Sequence, residues 1–192
     1  MLMFSYSSPR LFFASLRNFS TYSEKTSEQL YQKNYWFILV RYAKERKENM
    51  NRWIFQGVPS RYDVADPEKV KEGKTEIWLA SHFRETMEVG DIVYLWRAGE
   101  REKTKRGVYA WGRIVGEIKH YEGWGWGVSV KYIKRFPRHI SPSELNKYPA
   151  FTSHLLNRMA IGTNFSVSED ENEAIKKAIR ETVGETYLPE EE

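Results

Sequence analysis

Short runs of β-branched and aromatic residues, separated by turn residues, dominate the chain after residue 50. Such runs are typical of β-strands that are buried on one or both faces. We predict the main strands at Trp53–Val58, Ile92–Arg97, Gly107–Ile118 and Val128–Phe136, with a further strand-like segment at Glu76–Leu79. The longest of them carries Gly112 and Gly116, which suit the tight bends by which small barrels close.

Helices are predicted at three places. Ala80–Met87 lies between two strands, and Ser141–Tyr148 begins with the spacing of a capping box and a proline at the first helical position. The same capping spacing recurs at Ser168, ahead of an apolar face within Ala174–Val183. Strands and helices do not alternate regularly, which favours an α+β fold, a small mixed β-barrel flanked by short helices, over a doubly wound sheet.

Residues 1–49 differ from the rest of the chain, and we leave them out of the fold. No acidic residue occurs before Glu24, and the segment is rich in Ser, Phe and Leu. The stretch Arg17–Ser20 is similar to the cleavage region of an organellar transit peptide. A disordered leader, or translation from a start upstream of Met50, explains the same composition, and we favour these two interpretations. We expect a cytoplasmic protein, or a mitochondrial one if the transit peptide is genuine.

The net charge of +4 is unevenly distributed along the chain. Residues 51–168 hold 19 Lys and Arg against 13 Asp and Glu, whereas the chain from Glu169 onward holds nine acids and three bases. A basic body is compatible with a polyanionic partner, and equally with a well-solvated surface. No apolar run approaches the ~20 residues that span a bilayer, so no membrane partner is expected. We expect one domain over residues 50–185, followed by an acidic disordered tail over 186–192.

The residues that usually carry catalysis or bind metals form no recognisable pattern. There is no cysteine, which excludes disulfides, thiol catalysis and cysteine-based zinc sites. The four histidines lie far apart, and none has the spacing of a helical metal site. Asp63 and Asp66 lack the partners of a nuclease centre, and the glycine-rich stretch Gly123–Gly127 has no lysine or helix behind it. We therefore predict no catalytic residue, no metal, no cofactor and no enzymatic activity.

Aromatic residues make up 15% of the chain, including seven Trp and twelve Tyr. Six of these rings fall in or next to predicted strands: Trp53, Trp78, Tyr94, Trp96, Tyr109 and Trp111. Reading an unpaired base requires flat walls for stacking and amide-like groups for its Watson–Crick edge. We expect a barrel this small to leave some rings facing an open hollow, although core packing is the competing explanation for each ring. Four residues would provide donors and acceptors: Gln56, Ser81, Arg84 and Asn164.

Several motifs, taken in order along the chain, resemble those of the EVE domain. They are WIFQGVP at Trp53–Pro59, Ile77-Trp78 with Ser81–Arg84, Val89–Asp91 with Val93–Arg97, GVYAWG at Gly107–Gly112, and GTNF at Gly162–Phe165 ahead of an acidic helix. The likeness covers about residues 50–183. It implies a PUA-like fold, related to the ASCH and YTH modules that bind RNA. Some EVE domains are fused to restriction endonucleases and recognise modified cytosines.

The resemblance implies a base pocket between the first strand, the Trp78–Arg84 segment and the strand that contains Trp96. The implied stacking walls are Trp53 and either Trp96 or Trp78. The implied edge readers are Gln56, Ser81 and Asn164. Structural roles compete with these, since Asn164 could cap a turn and Arg84 could pair with Glu88.

Phosphate contacts are expected beside this pocket. Arg84 and Arg97 have the bidentate geometry that suits a phosphate. The insertion Glu100–Arg106 carries further bases, which would touch the nucleic-acid backbone or simply form an exposed turn: Lys103, Lys105 and Arg106.

We therefore expect a non-catalytic module that binds DNA or RNA carrying a flipped, modified base such as 5-methylcytosine. No nuclease or ATPase domain accompanies the module, so any effector would be a separate protein. The alternatives are an RNA-binding accessory protein of the PUA type without preference for a modification, a nucleotide sensor, and a protein-interaction module.

Overall fold

The computed structural model describes residues 50–99, 102–158 and 162–190, so the predictions for residues 1–49 lie outside the described part. Seven strands are present within it: β1 (Arg52–Gly57), β2 (Thr75–Leu79), β3 (Ile92–Arg97), β4 (Gly107–Ile114), β5 (Lys119–Tyr121), β6 (Gly125–Ile140) and β7 (Asn164–Ser166). The α-helices are α1 (Pro142–Leu145), α2 (Pro149–Thr152), α3 (Leu155–Arg158) and α4 (Glu169–Thr182). Short 3₁₀ helices lie at Lys103–Lys105 and Glu185–Tyr187.

The strands form one mixed sheet with the order β2-β6-β4-β3-β1-β7, and β5 pairs with β6. β1 and β3 are parallel, whereas the other pairs are antiparallel. Three strands separate β1 from β2 in this order, yet the rings of Phe55 in β1 and Trp78 in β2 are 5.9 Å apart. The sheet therefore curls into a half-barrel, which confirms the predicted α+β fold.

The curl depends on irregular pairing between β4 and the 16-residue strand β6. The register shifts twice along this pair, between Val108 and Ala110 and between Trp111 and Gly112. Such bulges bend a strand and increase its twist. A Cβ at Gly112 would collide with the carbonyl of Lys131, so only glycine allows the two strands to approach this closely. The bend predicted at Gly112 is confirmed.

Side chains of the sheet fill two separate cores. The barrel-side cluster occupies the inside of the curl and includes Trp53, Phe55, Trp78, Leu95 and Tyr132. The helix-side cluster lies on the outer face under α4 and includes Ile54, Tyr94, Trp96, Trp111 and Ile175. Neighbouring residues of β1 and β3 alternate between the clusters because successive side chains of a strand point to opposite faces.

The two covered faces explain where the six aromatic rings go. All six have exposed fractions of 8% or less. Three belong to the barrel-side cluster, namely Trp53, Trp78 and Tyr109. The other three belong to the helix-side cluster, namely Tyr94, Trp96 and Trp111. The expectation that this small fold could not bury six rings is wrong, because each face accommodates three.

Both capping boxes predicted from the sequence are present. Ser141 caps α1 and Ser168 caps α4, each with the reciprocal hydrogen bond from its backbone N–H to the glutamate three residues later. α4 buries Ile175 among other residues of its apolar face. The hydroxyl of Tyr94 in β3 donates to Asn172 Oδ1 at 2.7 Å, which ties this helix to the sheet.

The helix predicted at Ala80–Met87 is wrong. The segment forms turns and bends, and Phe83 has a φ of 58°, in the left-handed region that few non-glycine residues adopt. Its ring lies 5.7 Å from that of Trp53. Tertiary contacts of this kind override the helical propensity of the segment.

The end of the described chain packs against the sheet. The indole N–H of Trp111 donates to the carbonyl of Tyr187 at 2.9 Å, and Arg113 donates to the carbonyl of Glu190. Residues 186–190 therefore belong to the domain, in contrast to the disordered tail predicted for 186–192. Residues 191–192 lie outside the described part.

A buried carboxylate anchors the start of β1. Asp91 is 3% exposed and accepts three hydrogen bonds, from Trp53 Nε1 at 2.8 Å and from the backbone N–H groups of Glu88 and Asn51 at 2.9 and 3.2 Å. Burial raises the pKa of Asp91, while these donors favour its charged form and limit the rise. Its carboxylate joins β1 to the turn ahead of β3.

We expect Asp91→Ala to lower the free energy of unfolding by about 3 kcal/mol, because three donors lose their acceptor. Trp53→Phe removes only the indole donor and should cost about 1 kcal/mol. Urea denaturation of both variants measures these losses, with Glu122→Ala in an exposed turn as the control. A free energy of unfolding for Asp91→Ala within about 0.5 kcal/mol of that of the control contradicts the anchoring role.

Candidate functional site

The two edge strands of the curled sheet, β2 and β7, approach each other without backbone pairing in the described residues. Polar groups bridge the gap instead. The backbone N–H of Ser81, just after β2, donates to Asn164 Oδ1 in β7 at 3.1 Å. The Ser81 hydroxyl hydrogen-bonds to that of Thr163, which also donates to Asn164 Oδ1 at 3.0 Å. We call this gap, between Ile77–Ser81 and Thr163-Asn164, the seam.

A cavity of about 280 Å³ opens at the seam, close to the lower end of the ~300–1,000 Å³ range of small-molecule sites. Three aromatic rings line it, namely Tyr62, Trp78 and Trp124. Aliphatic side chains contribute the rest of the apolar lining, namely Val58, Ile77 and Leu79. The polar lining comes from Gln56, Arg61 and Thr163, and Gly57 completes the cavity.

Tyr132 holds two of the walls in place. Its hydroxyl accepts the indole N–H of Trp78 at 2.9 Å and lies 3.0 Å from the hydroxyl of Tyr62. Because Tyr62 donates its own proton to the carbonyl of Lys69 at 2.9 Å, Tyr132 is the donor between the two hydroxyls. Burial raises the pKa of Tyr132 far above its usual range, so the phenol stays protonated. The rings of Tyr62 and Trp78 meet edge to face at 5.2 Å.

The third wall depends on a glycine-rich hairpin between β5 and β6. Gly123 and Gly125 have φ values of 72° and 98°, which favour glycine. A Cβ at Gly127 would lie 2.6 Å from the Trp124 ring and 2.8 Å from the side chain of Ile77. The missing side chain therefore leaves room for the indole of Trp124, which lies across Gly127 with 48% of its surface exposed.

The polar side of the cavity is built from the end of β1 and the residues before β7. Gln56 donates from Nε2 to the carbonyl of Gly162 at 3.1 Å, and its backbone N–H donates to the carbonyl of Thr163 at 2.8 Å. Arg61 is exposed, and its guanidinium makes no hydrogen bond or ion pair within the described part of the chain. The cavity thus combines flat apolar walls, fixed amide and hydroxyl groups, and the charge of Arg61, which no acidic side chain of the described residues balances.

A family model described as the EVE domain matches residues 51–178, more than half of the chain. This chain belongs to the EVE domain family. EVE domains are PUA-like binding modules that generally bind nucleic acids and are not typically catalytic. A comparison with curated protein sequences finds no significant match.

Solved structures share this fold at low sequence identity. A hypothetical protein from Leishmania major is 19% identical, with a TM-score of 0.55, over 71% of this chain and 98% of that chain. Rpa0253 from Rhodopseudomonas palustris is 16% identical, with a TM-score of 0.55, over 67% and 92% of the two chains. A protein from Pseudomonas putida is 14% identical, with a TM-score of 0.54, over 66% and 98%. These likenesses establish the fold alone.

The EVE domain brings four of the predicted pocket residues to the seam. Gln56 and Trp78 line the cavity. Ser81 and Asn164 lie beside it and hold Thr163, which lines it. Their contacts position a wall of the cavity, and the reading of a base edge by these two residues remains a prediction.

Two predicted walls lie elsewhere. Trp96 is fully buried in the helix-side cluster, on the opposite face of the sheet from the barrel-side rings, so it is not part of the cavity. Trp53 is on the barrel side, but its ring packs against Phe83 and its N–H is bound to Asp91. The prediction that placed both rings in one pocket did not take into account that alternate residues of paired strands face opposite sides.

Most of the predicted phosphate-binding residues are engaged within the protein. The side chain of Arg97 is 3% exposed and forms ion pairs with Asp63 and Glu102, each at 2.7 Å, so it is not free for a phosphate. This guanidinium lowers the pKa of Asp63. Lys105 pairs with Glu102 at 2.8 Å, whereas Lys103 is exposed.

The remaining two arginines contact indole rings. Arg106 lies over Trp96 at 5.2 Å and donates to the carbonyl of Leu156 at 2.9 Å. Arg84 lies over Trp126 at 5.2 Å, and the described residues show no ion pair between Arg84 and Glu88. The structural alternative considered for Arg84 is therefore wrong.

Eight of the ten lining residues were not predicted as pocket residues, among them Arg61, Tyr62, Trp124 and Thr163. The spacing of Gly123, Gly125 and Gly127 around Trp124 could have indicated a turn that presents an indole. Nothing in the sequence indicates that Tyr62 meets Trp78, because that contact depends on how residues 58–64 fold back over Gly57.

A second hollow, of about 510 Å³, lies between residues 67–72 and β6. Arg135 lines this hollow. Its guanidinium donates to the carbonyls of Val64, Ala65 and Val70 and therefore stabilises the fold. Within the described residues, no group of three or more His, Asp or Glu is arranged to hold a metal. The same part of the chain contains no helix long and apolar enough to cross a membrane.

We expect Tyr132→Phe to lower the free energy of unfolding by about 1–3 kcal/mol, because the buried indole N–H of Trp78 loses its acceptor. Urea denaturation measures the loss, and the Trp78 Nε1–H resonance should exchange faster with solvent. Tyr121→Phe removes a hydroxyl without a partner among the described residues and serves as the control. Equal stability of the two variants contradicts the role of Tyr132.

Proposed function

We propose that this EVE domain binds nucleic acid and holds one flipped base in the seam cavity. The observation that carries the proposal is the cavity itself, which is lined both by aromatic rings and by hydrogen-bonding groups. Sites that accept extruded bases combine these two features. Membership in a family of nucleic-acid-binding modules supports the same function.

Stacking supplies most of the affinity in this proposal. A base that enters the cavity meets the rings of Trp78, Tyr62 and Trp124, of which Trp124 is the most exposed. Stacking on an aromatic side chain contributes ~1–3 kcal/mol per base and tolerates any base. Stacking alone therefore does not select among bases.

Hydrogen bonds to the edge of the base supply the selection. The Gln56 amide and the Thr163 hydroxyl line the cavity, and the hydroxyl of Ser81 lies next to that of Thr163. Amide and hydroxyl groups can donate and accept, as a Watson–Crick edge requires. Their positions are fixed by bonds to Gly162 and Asn164.

The aliphatic lining favours a base that carries a methyl group. Val58, Ile77 and Leu79 give the cavity an apolar surface against which a methyl group would pack. Burial of one methyl group contributes about 0.8 kcal/mol, or roughly fourfold in affinity. On this basis we propose 5-methylcytosine or another methylated base as the preferred ligand.

Phosphates on either side of the flipped base meet positive charge. Arg61 lies at the cavity, and Lys103 lies in the loop that follows β3. The parallel strands β1 and β3 finish at the same end of the sheet. There the backbone N–H of Ala98 donates to the carbonyl of Gly57 at 2.9 Å. The loop that contains Lys103 therefore starts at the same end of the sheet as the cavity.

We expect Trp124→Ala to weaken oligonucleotide binding about tenfold, since one stacking wall is lost. Fluorescence anisotropy with labelled single- and double-stranded DNA and RNA measures this, with and without 5-methylcytosine or N6-methyladenine. Because Trp124 is half exposed, the fold should persist. Val115→Ala, another exposed apolar residue, is the control.

The outcome also separates the alternatives. Absence of salt-sensitive binding to every oligonucleotide overturns the proposed function. Equal affinity for modified and unmodified RNA overturns the methyl preference and selects a general RNA-binding module. Saturation by free nucleosides, with no gain from the polymer, selects a nucleotide sensor.

We expect Arg61→Ala to lower affinity by a similar factor for all sequences and to reduce the slope of log K against log salt by about one, because one phosphate contact is lost. Titrations between 50 and 200 mM salt measure this slope. Arg61→Lys keeps the charge and should keep the slope. An unchanged slope for Arg61→Ala removes this residue from the interface.

A further inference from the structure

Trp126 is an exposed indole that the proposed cavity does not use. It continues the row of inner-face side chains formed by Val128, Val130 and Tyr132, which are buried in the barrel-side cluster. Trp126 lies past the covered part of this row, and 40% of its surface is exposed. An indole of this size has one apolar body and one polar tip, and it is usually partly covered.

The ring of Trp126 is held in a fixed orientation. Its strand partner His120 packs against it edge to face, with centroids 5.3 Å apart. The guanidinium of Arg84 lies over the ring at 5.2 Å from the centroid. An indole and a guanidinium cation therefore lie in contact at the surface.

The charge of Arg84 is not balanced by an acidic side chain in the described residues. Arg97, Arg138 and Arg180 each form an ion pair with a carboxylate, whereas the described contact of the Arg84 guanidinium is the ring of Trp126. Guanidinium planes stack on unpaired bases, and their charge attracts the phosphate that accompanies each base. An oligonucleotide satisfies both properties of this pair.

Both chain segments that carry the Trp126–Arg84 pair also contribute to the cavity or its border. The carbonyl of Trp126 accepts the N–H of Ala80 at 2.8 Å, and the next residue, Ser81, is bonded to Thr163 of the cavity. Trp124, two residues before Trp126, is a wall of the cavity. Trp126 and Arg84 are therefore each within three residues of a residue that lines or borders the cavity.

We propose that Trp126 and Arg84 form a second stacking site, which holds the base adjacent to the one in the cavity. The inference rests on the proposed function and makes it more specific. The ligand is then a single-stranded or locally unpaired segment of at least two nucleotides, and the protein binds it more tightly than the isolated nucleotide.

The test uses the full-length chain with two probes, 5-methyl-dCMP and a pentadeoxynucleotide with a central 5-methylcytosine. Calorimetry or competition anisotropy gives the affinity of each. We expect the wild type to bind the pentanucleotide at least tenfold more tightly than the mononucleotide. Trp126→Ala should lose about tenfold for the pentanucleotide and less than about twofold for the mononucleotide.

Matched variants separate the two sites. Trp126→Phe keeps a ring and should retain most of the affinity, whereas Trp124→Ala should weaken both probes. Arg84→Ala should weaken the pentanucleotide and reduce its salt dependence, as the guanidinium is lost. Thermal unfolding confirms that each variant is folded, which the exposure of Trp126 and Arg84 leads us to expect.

The results distinguish the failure of this inference from the failure of the proposed function. If the wild type binds neither probe, nor their RNA counterparts, the seam cavity is not a base site and both proposals are overturned. If the wild type binds both probes equally, or if Trp126→Ala weakens both by the same factor or neither, the second stacking site alone is overturned.

Discussion

The seam between β2 and β7 is the constraint from which the site follows. A curled sheet that does not close has two strand edges with unpaired backbone groups, which proteins must cover or satisfy. Here Ser81, Thr163 and Asn164 bridge the edges with side-chain hydrogen bonds, and the segment after β1 folds back over Gly57. These side-chain bonds take the place of a backbone ladder among the described residues, and the aromatic cavity opens at this gap.

The same curl separates the aromatic residues into those that stabilise the fold and those that face solvent. The inner and outer faces of the sheet are both covered, so six rings of the strands are buried. The half-exposed rings belong to turns and strand ends, where Trp124, Trp126 and Phe83 lie. Two of these rings are presented by the hairpin in which Gly123, Gly125 and Gly127 alternate with tryptophan. The proposed binding site therefore lies at the loops and the seam, which the sheet supports.

Much of the fold could be predicted from the sequence, because strand periodicity and helix caps are local signals. The strand Ile92–Arg97 and the capping boxes at Ser141 and Ser168 were predicted correctly. The site was predicted only in part, since Gln56 and Trp78 line the cavity but Trp96 lies on the other face and Arg97 is in a buried ion pair. Strand pairing, and with it the face each ring occupies, depends on contacts between distant segments. For the same reason the sequence did not reveal that Tyr62 is a wall.

The central claim is that the seam cavity holds a base. The most direct test is a titration of ¹⁵N-labelled protein with 5-methylcytidine and with a short single-stranded oligonucleotide, followed through the tryptophan indole N–H resonances. The account predicts saturable shifts for Trp78 and Trp124, with Trp96 and Trp111 unaffected on the other face of the sheet. Saturable binding that leaves Trp78 and Trp124 unchanged would contradict it.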